Sequence, residues 1–410
     1  MIFVVVCTGC SLLCEDIELE LKSGAFTHIK NLCRKGHAHF QALFTERTKP
    51  LIDGKEVSID QAIAGAAETL RNAKNPMLYG WTNSSLEAQR AGIDLARKLG
   101  ATINASSSSC LGSLMEKVLT GLIPTCTLDD VRNFADTSIF WGADPSNSHP
   151  RHLSRFSYYP RGSKRQKSYE EERNCVVVDV RKSATAHLCS NYYFRVPPGG
   201  DAEFMESILA VLEGKIPKAG DKKRLIELGT ALRKTEFGAV FPGQGMTLSL
   251  QNRMDLFEQL VAKLNGIAPF KVIPMAERYN ARGFDQLLLE QTGFIESVSF
   301  RDGIAVRGPE RSVFESSKSC DAVLAIGSDP LSELPGGLAR RLAAVPLIAI
   351  DPRRSLTTDA ARVVIPSAIY GLEAGGSAIR MDGVKIEFEP VVSTDLMTDE
   401  QILSRIKEAI

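Results

Sequence analysis

Long apolar runs are missing from this sequence: no stretch of 18 consecutive apolar residues occurs in it, which excludes an obvious membrane-spanning helix. An excess of charge is missing too, because Lys plus Arg and Asp plus Glu each number 49. A chain without net charge has no global field for nucleic acid or an anionic membrane, so proteins or small molecules are the expected partners. The few residues before the first cysteine are too short for a signal peptide, and we expect a cytoplasmic protein.

The composition is that of a large folded protein. Its 410 residues are 44% hydrophobic, enough to bury an extensive core in two or three domains. Nine cysteines are present. Because disulfides rarely persist in a reducing cytoplasm, we expect these cysteines to be thiols and metal ligands.

Four cysteines near the N-terminus have the spacing of a metal site. Cys7, Cys10, Cys14 and Cys33 form a C-x2-C-x3-C-x18-C series. Soft thiolates select iron–sulfur clusters or zinc. Basic residues beside Cys33 would offset the charge of an anionic cluster, and short zinc sites more often pair two C-x2-C knuckles. One 4Fe-4S cluster is therefore the preferred prediction, with zinc as the alternative.

The rest of the chain alternates predicted strands and helices, which indicates an α/β fold with parallel sheets. It also contains an internal repeat: residues 76–100, 138–145 and 176–186 are echoed by residues 237–266, 322–330 and 347–357. Four identical pairs lie 172 residues apart, namely Asp179 and Asp351, Arg181 and Arg353, Ser183 and Ser355, and Thr185 and Thr357. Coincidences at a single offset argue for duplication.

Each copy places Gly and polar residues where parallel strands end, which is where open α/β sheets bind nucleotides. The glycines would let backbone approach a phosphate, the aspartates would bond a base or ribose, and the arginines would pair with phosphate. The candidate cofactor-binding residues are Gly142, Asp144, Asp179, Arg181 and Thr185 in the first copy, and Gly327, Asp329, Asp351, Arg353 and Thr357 in the second. The alternative is that these are ordinary turn and cap residues.

A single cysteine, Cys110, follows a Ser-rich stretch after the predicted helix 86–99. A thiol in such a turn can bind a metal or attack a substrate, although an isolated cysteine is more often a buried core residue. His149 and His152 could also ligate a metal, but a polar contact with a cofactor is the preferred interpretation.

Four segments together carry a family resemblance: CTGCSLLCEDI, NLCRKGHAHF, WGADPSNSHPRHLSRF and VVVDVRKSATA. They resemble the molybdopterin or tungstopterin oxidoreductases that include formate dehydrogenases, and most closely the B subunits of archaeal formylmethanofuran dehydrogenases. The resemblance implies an N-terminal iron–sulfur segment and two interleaved Rossmann-like parallel-sheet domains, equivalent to molybdopterin oxidoreductase domains I to III. The implied boundaries are 1–57 for the cluster domain, 58–108 with 266–372 for one α/β domain, 109–265 for the other, and 373–410 for a C-terminal segment.

The resemblance also implies cofactors and chemistry. Two molybdopterin guanine dinucleotides would hold tungsten or molybdenum on Cys110, and the catalytic subunit would reduce CO2 to formate with electrons arriving through the 4Fe-4S cluster. A partner subunit would then use the formate to formylate methanofuran, the first step of methanogenesis. Arg278 or Arg282 would act beside the metal, and Leu111 stands where family members commonly have His.

The expected partners are a pterin-capping barrel subunit, a zinc amidohydrolase-like subunit, and polyferredoxin or other iron–sulfur subunits. Three alternative functions remain open at this point. The chain could be a non-redox scaffold of a formyltransferase/hydrolase-type complex, a free formate dehydrogenase-like subunit, or a zinc-bearing nucleotide-binding regulator. Metal analysis distinguishes these functions, because they predict different metals.

Overall fold

The computed structural model describes residues 2–22, 25–45, 47–106, 111–171, 173–307 and 312–410. The chain forms two compact units: the first contains residues 1–109, 278–380 and 385–410, and the second contains residues 110–277 and 381–384. The units are thus interleaved along the chain. The predicted cluster domain 1–57 falls in the first unit, and so does the C-terminal segment 373–410 except for residues 381–384, which fall in the second.

The described strands are numbered in chain order. They are β1 (Ile2–Cys7), β2 (Cys14–Lys22), β3 (Ala25–Lys30), β4 (Leu51–Ile52), β5 (Lys55–Glu56), β6 (Pro76–Gly80), β7 (Thr102–Ala105), β8 (Thr137–Trp141), β9 (Asn174–Asp179), β10 (Tyr192–Arg195), β11 (Gly238–Pro242), β12 (Phe270–Val272), β13 (Ser297–Ser299), β14 (Ala322–Ile326), β15 (Leu347–Ile350), β16 (Val363–Ile365), β17 (Gly376–Ile379) and β18 (Lys385–Phe388).

The described helices are numbered in the same way. They are α1 (Arg34–Gln41), α2 (Ile59–Asn72), α3 (Leu86–Leu99), α4 (Gly112–Leu119), α5 (Leu128–Phe134), α6 (Pro145–Ser148), α7 (Ala184–Leu188), α8 (Asp201–Leu212), α9 (Lys222–Leu232), α10 (Gln244–Leu250), α11 (Met254–Asn265), α12 (Ala281–Thr292), α13 (Val313–Ser319), α14 (Pro330–Glu333), α15 (Gly336–Ala343), α16 (Leu356–Ala360) and α17 (Asp399–Ala409). None of them is long and apolar enough to cross a membrane.

The first unit contains an antiparallel sheet of order β1-β2-β3 and an eight-stranded sheet of order β13-β7-β6-β14-β15-β16-β4-β5. In the larger sheet the central strands, from β7 to β16, run parallel, and antiparallel strands flank them on both sides. Its strands β6, β7, β14, β15 and β16 are buried along their whole length. This burial explains their nearly continuous apolar sequences, since helices cover both faces of such a sheet.

Local sequence signals fix the helices that cover this sheet. Ser58 caps α2 in a reciprocal capping box with Gln61, and Ser85 accepts a hydrogen bond from Ala88 N–H at the start of α3. Gly100 ends α3 with a left-handed backbone of φ 62°, which glycine adopts without steric penalty. These caps set where the connections between strands begin and end.

The second unit has one parallel sheet of order β10-β9-β8-β11-β12. This order matches the segment β16-β15-β14-β6-β7 of the first unit, strand for strand. The repeat seen in the sequence is therefore also a repeat of topology. The prediction of an α/β fold with parallel sheets is confirmed, whereas the iron–sulfur segment and the molybdopterin domains remain predictions.

Candidate functional site

The N-terminal sheet brings the cysteines of the predicted metal site together. Cys7 ends β1 and Cys14 begins β2, and the two are paired in the strand register. Cys10 lies in the turn between these strands, and Cys33 caps the N-terminus of α1, where its Sγ accepts a hydrogen bond from Gly36 N–H at 3.4 Å. Cys7, Cys10 and Cys14 are buried and Cys33 is partly buried. The antiparallel register and the helix cap thus gather four residues that are distant in sequence.

The thiols influence one another electrostatically. Burial raises the pKa of Cys7, and the neighbouring Cys10, Cys14 and Cys33 raise it further because thiolates repel. Burial also raises the pKa of Cys10 to about 12, while a backbone hydrogen bond from Leu12 opposes this shift. Buried thiolates that repel one another need a cationic centre to remain ionised.

The surroundings of the thiols fit an iron–sulfur cluster. Backbone N–H groups of Gly9, Leu12 and Gly36 bond to the sulfur atoms of Cys7, Cys10 and Cys33 respectively, and such bonds tune cluster potential. A Cβ atom on Gly36 would lie 3.1 Å from Cys7 Sγ, so glycine permits α1 to approach this thiol closely. Among the residues that the structure describes, no group of three or more His, Cys, Asp or Glu side chains is arranged so that it could hold a metal ion. The cluster remains a prediction, with a donor set of suitable chemistry.

A cavity of about 430 Å³ lies beside the cysteine loop, and all its lining residues belong to the first unit. The cysteine segment contributes Thr8, Gly9, Lys35 and His39, and the second copy of the repeat contributes Gly327, Asp329, Asp351 and Arg353. The cavity lies at the carboxyl ends of β6 and β14, where the chain order across the sheet reverses. Open α/β sheets bind ligands at this position.

Gly327 shapes the floor of this cavity. It follows β14 with φ 52°, and its carbonyl oxygen accepts a hydrogen bond of 2.8 Å from Asn83 Nδ2. The equivalent Gly142 in the second unit has φ 58°, and a Cβ atom there would lie 2.2 Å from Met246 N. In the second unit, Gly142 therefore permits a close contact with backbone of the same unit.

Asp329 and Thr357 bind each other. Asp329 Oδ1 accepts hydrogen bonds from Thr357 N–H at 3.0 Å and from Thr357 Oγ1 at 2.6 Å. In the second unit, Asp144 Oδ1 accepts the same two bonds from Thr185, at 3.0 Å and 2.6 Å. These four residues therefore hold the two strand-end loops of each copy together, which is the structural role that the sequence had left as the alternative.

Asp351 and Arg353 are arranged differently. Asp351 Oδ1 accepts a hydrogen bond of 2.8 Å from Arg353 N–H, and burial raises the pKa of Asp351 to about 7. Arg353 Nη2 lies 2.8 Å from His39 Nδ1. In the other copy, Asp179 Oδ1 accepts a bond of 3.3 Å from Arg181 N–H, and burial raises the pKa of this aspartate as well.

The remaining predicted residues are spread over the chain. Arg278 lines the cavity and donates to Glu333 Oε1 at 2.9 Å, whereas Arg282 is buried in α12. Cys110 lies outside the described residues, so its role as a tungsten or molybdenum ligand stays a prediction. In the second unit His152 packs edge-on against Phe241, with ring centroids 4.6 Å apart, as a core residue.

Sequence reasoning missed His39 and Thr8. The only signal for His39 was its place in a basic segment after Cys33, because its partner Arg353 lies 314 residues away. Thr8 stands between two predicted ligands, but nothing in its sequence context indicates the contact between Thr8 Oγ1 and His39 Nε2 at 2.8 Å.

Fold and site together define an α/β protein of two duplicated parallel-sheet units, with a thiol-rich loop beside the cavity at the strand ends of the first. No family model matches the sequence. The chain is 34% identical to the B subunit of tungsten-containing formylmethanofuran dehydrogenase 2 of Methanocaldococcus jannaschii, over 99% of this chain and 98% of that protein. It is 31% identical to the protein of the same name from Methanococcus maripaludis, over 98% and 97%. The chain therefore belongs to the family of formylmethanofuran dehydrogenase B subunits.

The fold also matches a solved structure. A chain in the crystal structure of the formyltransferase/hydrolase complex of Methylorubrum extorquens, determined with methylofuran, superposes with a TM-score of 0.69 at 20% identity. The match covers 88% of this chain and 98% of that one, and at this identity it shows the fold alone. These matches correct the sequence-based identification of the chain as a molybdopterin catalytic subunit: they show membership of the B-subunit family, and because this fold also occurs in a formyltransferase/hydrolase complex, it does not by itself imply a molybdopterin site.

Proposed function

We propose that this chain is the B subunit of a multi-subunit complex that transfers a formyl group to or from a furan-containing carrier, and that it acts there as a non-redox scaffold. The observation that carries the proposal is the extent of the matches: they cover at least 97% of each relative or neighbour and at least 88% of this chain. The relatives are named for formylmethanofuran, and the solved complex is named for formyl transfer and was crystallised with methylofuran. A formyl group and a furan-containing carrier are what these names share.

The proposal gives the N-terminal thiols a structural role. A 4Fe-4S cluster on Cys7, Cys10, Cys14 and Cys33 would tie the turn between β1 and β2 to the start of α1. These four thiols are buried or partly buried, and those of Cys7, Cys10 and Cys33 accept hydrogen bonds from backbone N–H groups, as the cysteine ligands of iron–sulfur clusters do. Iron would then be required for a stable N-terminal segment whether or not electrons pass through it.

The cavity of the first unit is proposed to receive an anionic ligand, such as the phosphates of a nucleotide-containing molecule. Arg353 and Lys35 supply positive charge at its wall, and Gly327 leaves the strand end open. Asp351, with its pKa near 7, can donate a hydrogen bond while it is protonated. A planar base presents complementary acceptors to such a carboxyl group.

Isolation of the complex tests this proposal. The chain would be tagged in its source organism and purified anaerobically, and formate release from a formylated furan carrier would be measured. We expect further subunits to co-purify and to support formate release, and the chain expressed alone to show none. Isolation of the chain without partners, or a complex that leaves the formylated carrier intact, would contradict the proposal.

A second function is favoured by the four gathered thiols. In this case the cluster would relay electrons inside a formylmethanofuran dehydrogenase complex, since a scaffold does not require a redox centre. This function predicts that formate or the formylated carrier reduces a viologen dye in the presence of the complex. Substitution of Cys10 would abolish dye reduction and leave formate release unaffected.

A further inference from the structure

His39 stands between the cavity and the cysteine loop. Its Nδ1 lies 2.8 Å from Arg353 Nη2, and its Nε2 lies 2.8 Å from Thr8 Oγ1. Removal from water lowers the pKa of His39 to about 3, with the charge of Arg353 acting in the same direction. The ring is therefore neutral, and each of its nitrogens has one defined role.

The direction of these hydrogen bonds follows from Thr8. Its hydroxyl donates to Tyr370 O at 2.8 Å, so its single proton is already used. Thr8 Oγ1 must then accept from His39 Nε2–H, which leaves His39 Nδ1 to accept from Arg353. A continuous series of hydrogen bonds therefore runs from the Arg353 guanidinium at the cavity wall, through His39, to Thr8, the residue after Cys7.

This arrangement determines where Arg353 can point. Without His39, the guanidinium could turn to the carboxyl group of Asp351, to which only the backbone N–H of Arg353 is now bonded. Arg353 Nε is buried without a hydrogen-bond partner in the described part of the chain, and Arg353 lines the cavity. A guanidinium held by one amino group keeps its other donors available for an oxyanion.

We infer that His39 is a positioning residue that holds Arg353 for an anion entering the cavity and links anion binding to the cysteine loop through Thr8. The inference rests on the proposed anionic ligand of this cavity. It gives His39, which lines the cavity from the N-terminal segment, a defined role beside the strand-end residue Arg353.

The test measures the affinity of inorganic pyrophosphate by calorimetry, with the complex isolated through the tagged chain. His39→Phe keeps a ring of similar size but removes both hydrogen bonds, and we expect binding about tenfold weaker, the equivalent of about one hydrogen bond. His39→Gln retains one acceptor and one donor and should restore affinity to within about threefold of the wild type. His37→Phe is the matched control, because His37 is exposed on the same helix and does not line the cavity.

A double-mutant cycle separates positioning from a general effect on folding. If His39 acts through Arg353, His39→Phe should weaken binding no further once Arg353→Met is present. Thr8→Val should also weaken pyrophosphate binding. It provides a second variant if His39→Phe does not fold.

Three outcomes would overturn the inference: additive effects of His39 and Arg353, equal effects of His39→Phe and His39→Gln, or no pyrophosphate binding by the wild-type complex. None of these bears on the proposed role of the chain in a formyl-transfer complex. Co-purification and formate release test that function without pyrophosphate.

Discussion

The paired Asp–Thr contacts allow a prediction for each unit separately. Thr357→Val removes the hydroxyl that donates to Asp329 at 2.6 Å and accepts from Leu331 N–H at 3.3 Å, while the volume is conserved. A hydrogen bond to a charged group contributes about 1.5 to 3 kcal/mol, so we expect the first unit to lose about 2 kcal/mol of unfolding free energy. Thr185→Val should cost the second unit a similar amount, because its hydroxyl donates to Asp144 at 2.6 Å and accepts from Ser146 N–H at 3.1 Å.

The two tryptophans provide the assay. Trp81 is buried in the first unit and Trp141 in the second, and the sequence contains no other tryptophan. Urea unfolding followed by fluorescence would use Trp141→Phe as the background for the first unit and Trp81→Phe for the second. Thr357→Val should shift only the transition reported by Trp81. A change below about 0.5 kcal/mol, the size of an ordinary surface effect, would refute the reasoning, and so would a shift of both transitions by each substitution.

Two further predictions concern the site. Cys10→Ser should lower the iron content of the anaerobically purified complex, whereas Cys126→Ser, outside the quartet, should leave it unchanged; equal iron in both variants would contradict the cluster. Burial raises the pKa of Asp351 to about 7 in the fold, against about 4 when unfolded, so its stabilising contribution is complete below about pH 4 and is lost as pH rises through about 7. The unfolding free energy of the wild type minus that of Asp351→Asn should therefore fall between pH 4 and pH 8, and a constant difference would argue against this burial effect.

The fold could be predicted from the sequence because its signals are local. Apolar runs mark the strands, and Ser residues mark the starts of helices. The Asp-x-Arg-x-Ser-x-Thr motif encodes a strand end, a turn and a helix cap within seven residues. Ser183 and Ser355 cap the corresponding helices, as a hydroxyl at this position does in general. Such features repeat wherever the same short segment repeats.

The site could be predicted only in part, because side-chain partners depend on tertiary contacts. The sequence singled out Asp329 and Thr357 but not that they bond each other, and it gave no reason to join His39 to Arg353. The function could be predicted only as far as the family of formylmethanofuran dehydrogenase B subunits, for a related reason. A cysteine series and a duplicated α/β fold are compatible with more than one chemistry, and only the groups at the site decide which one operates.

The measurement that tests the central claim most directly is the identity of the product formed from a formylated furan carrier with a 13C label in the formyl group. The complex isolated through this chain would be incubated anaerobically with the carrier, with and without a viologen dye. A non-redox formyl-transfer complex predicts labelled formate in equal amount under both conditions and no dye reduction. Labelled CO2 that forms only with the dye, together with stoichiometric dye reduction, would contradict the account and assign this chain to a redox complex.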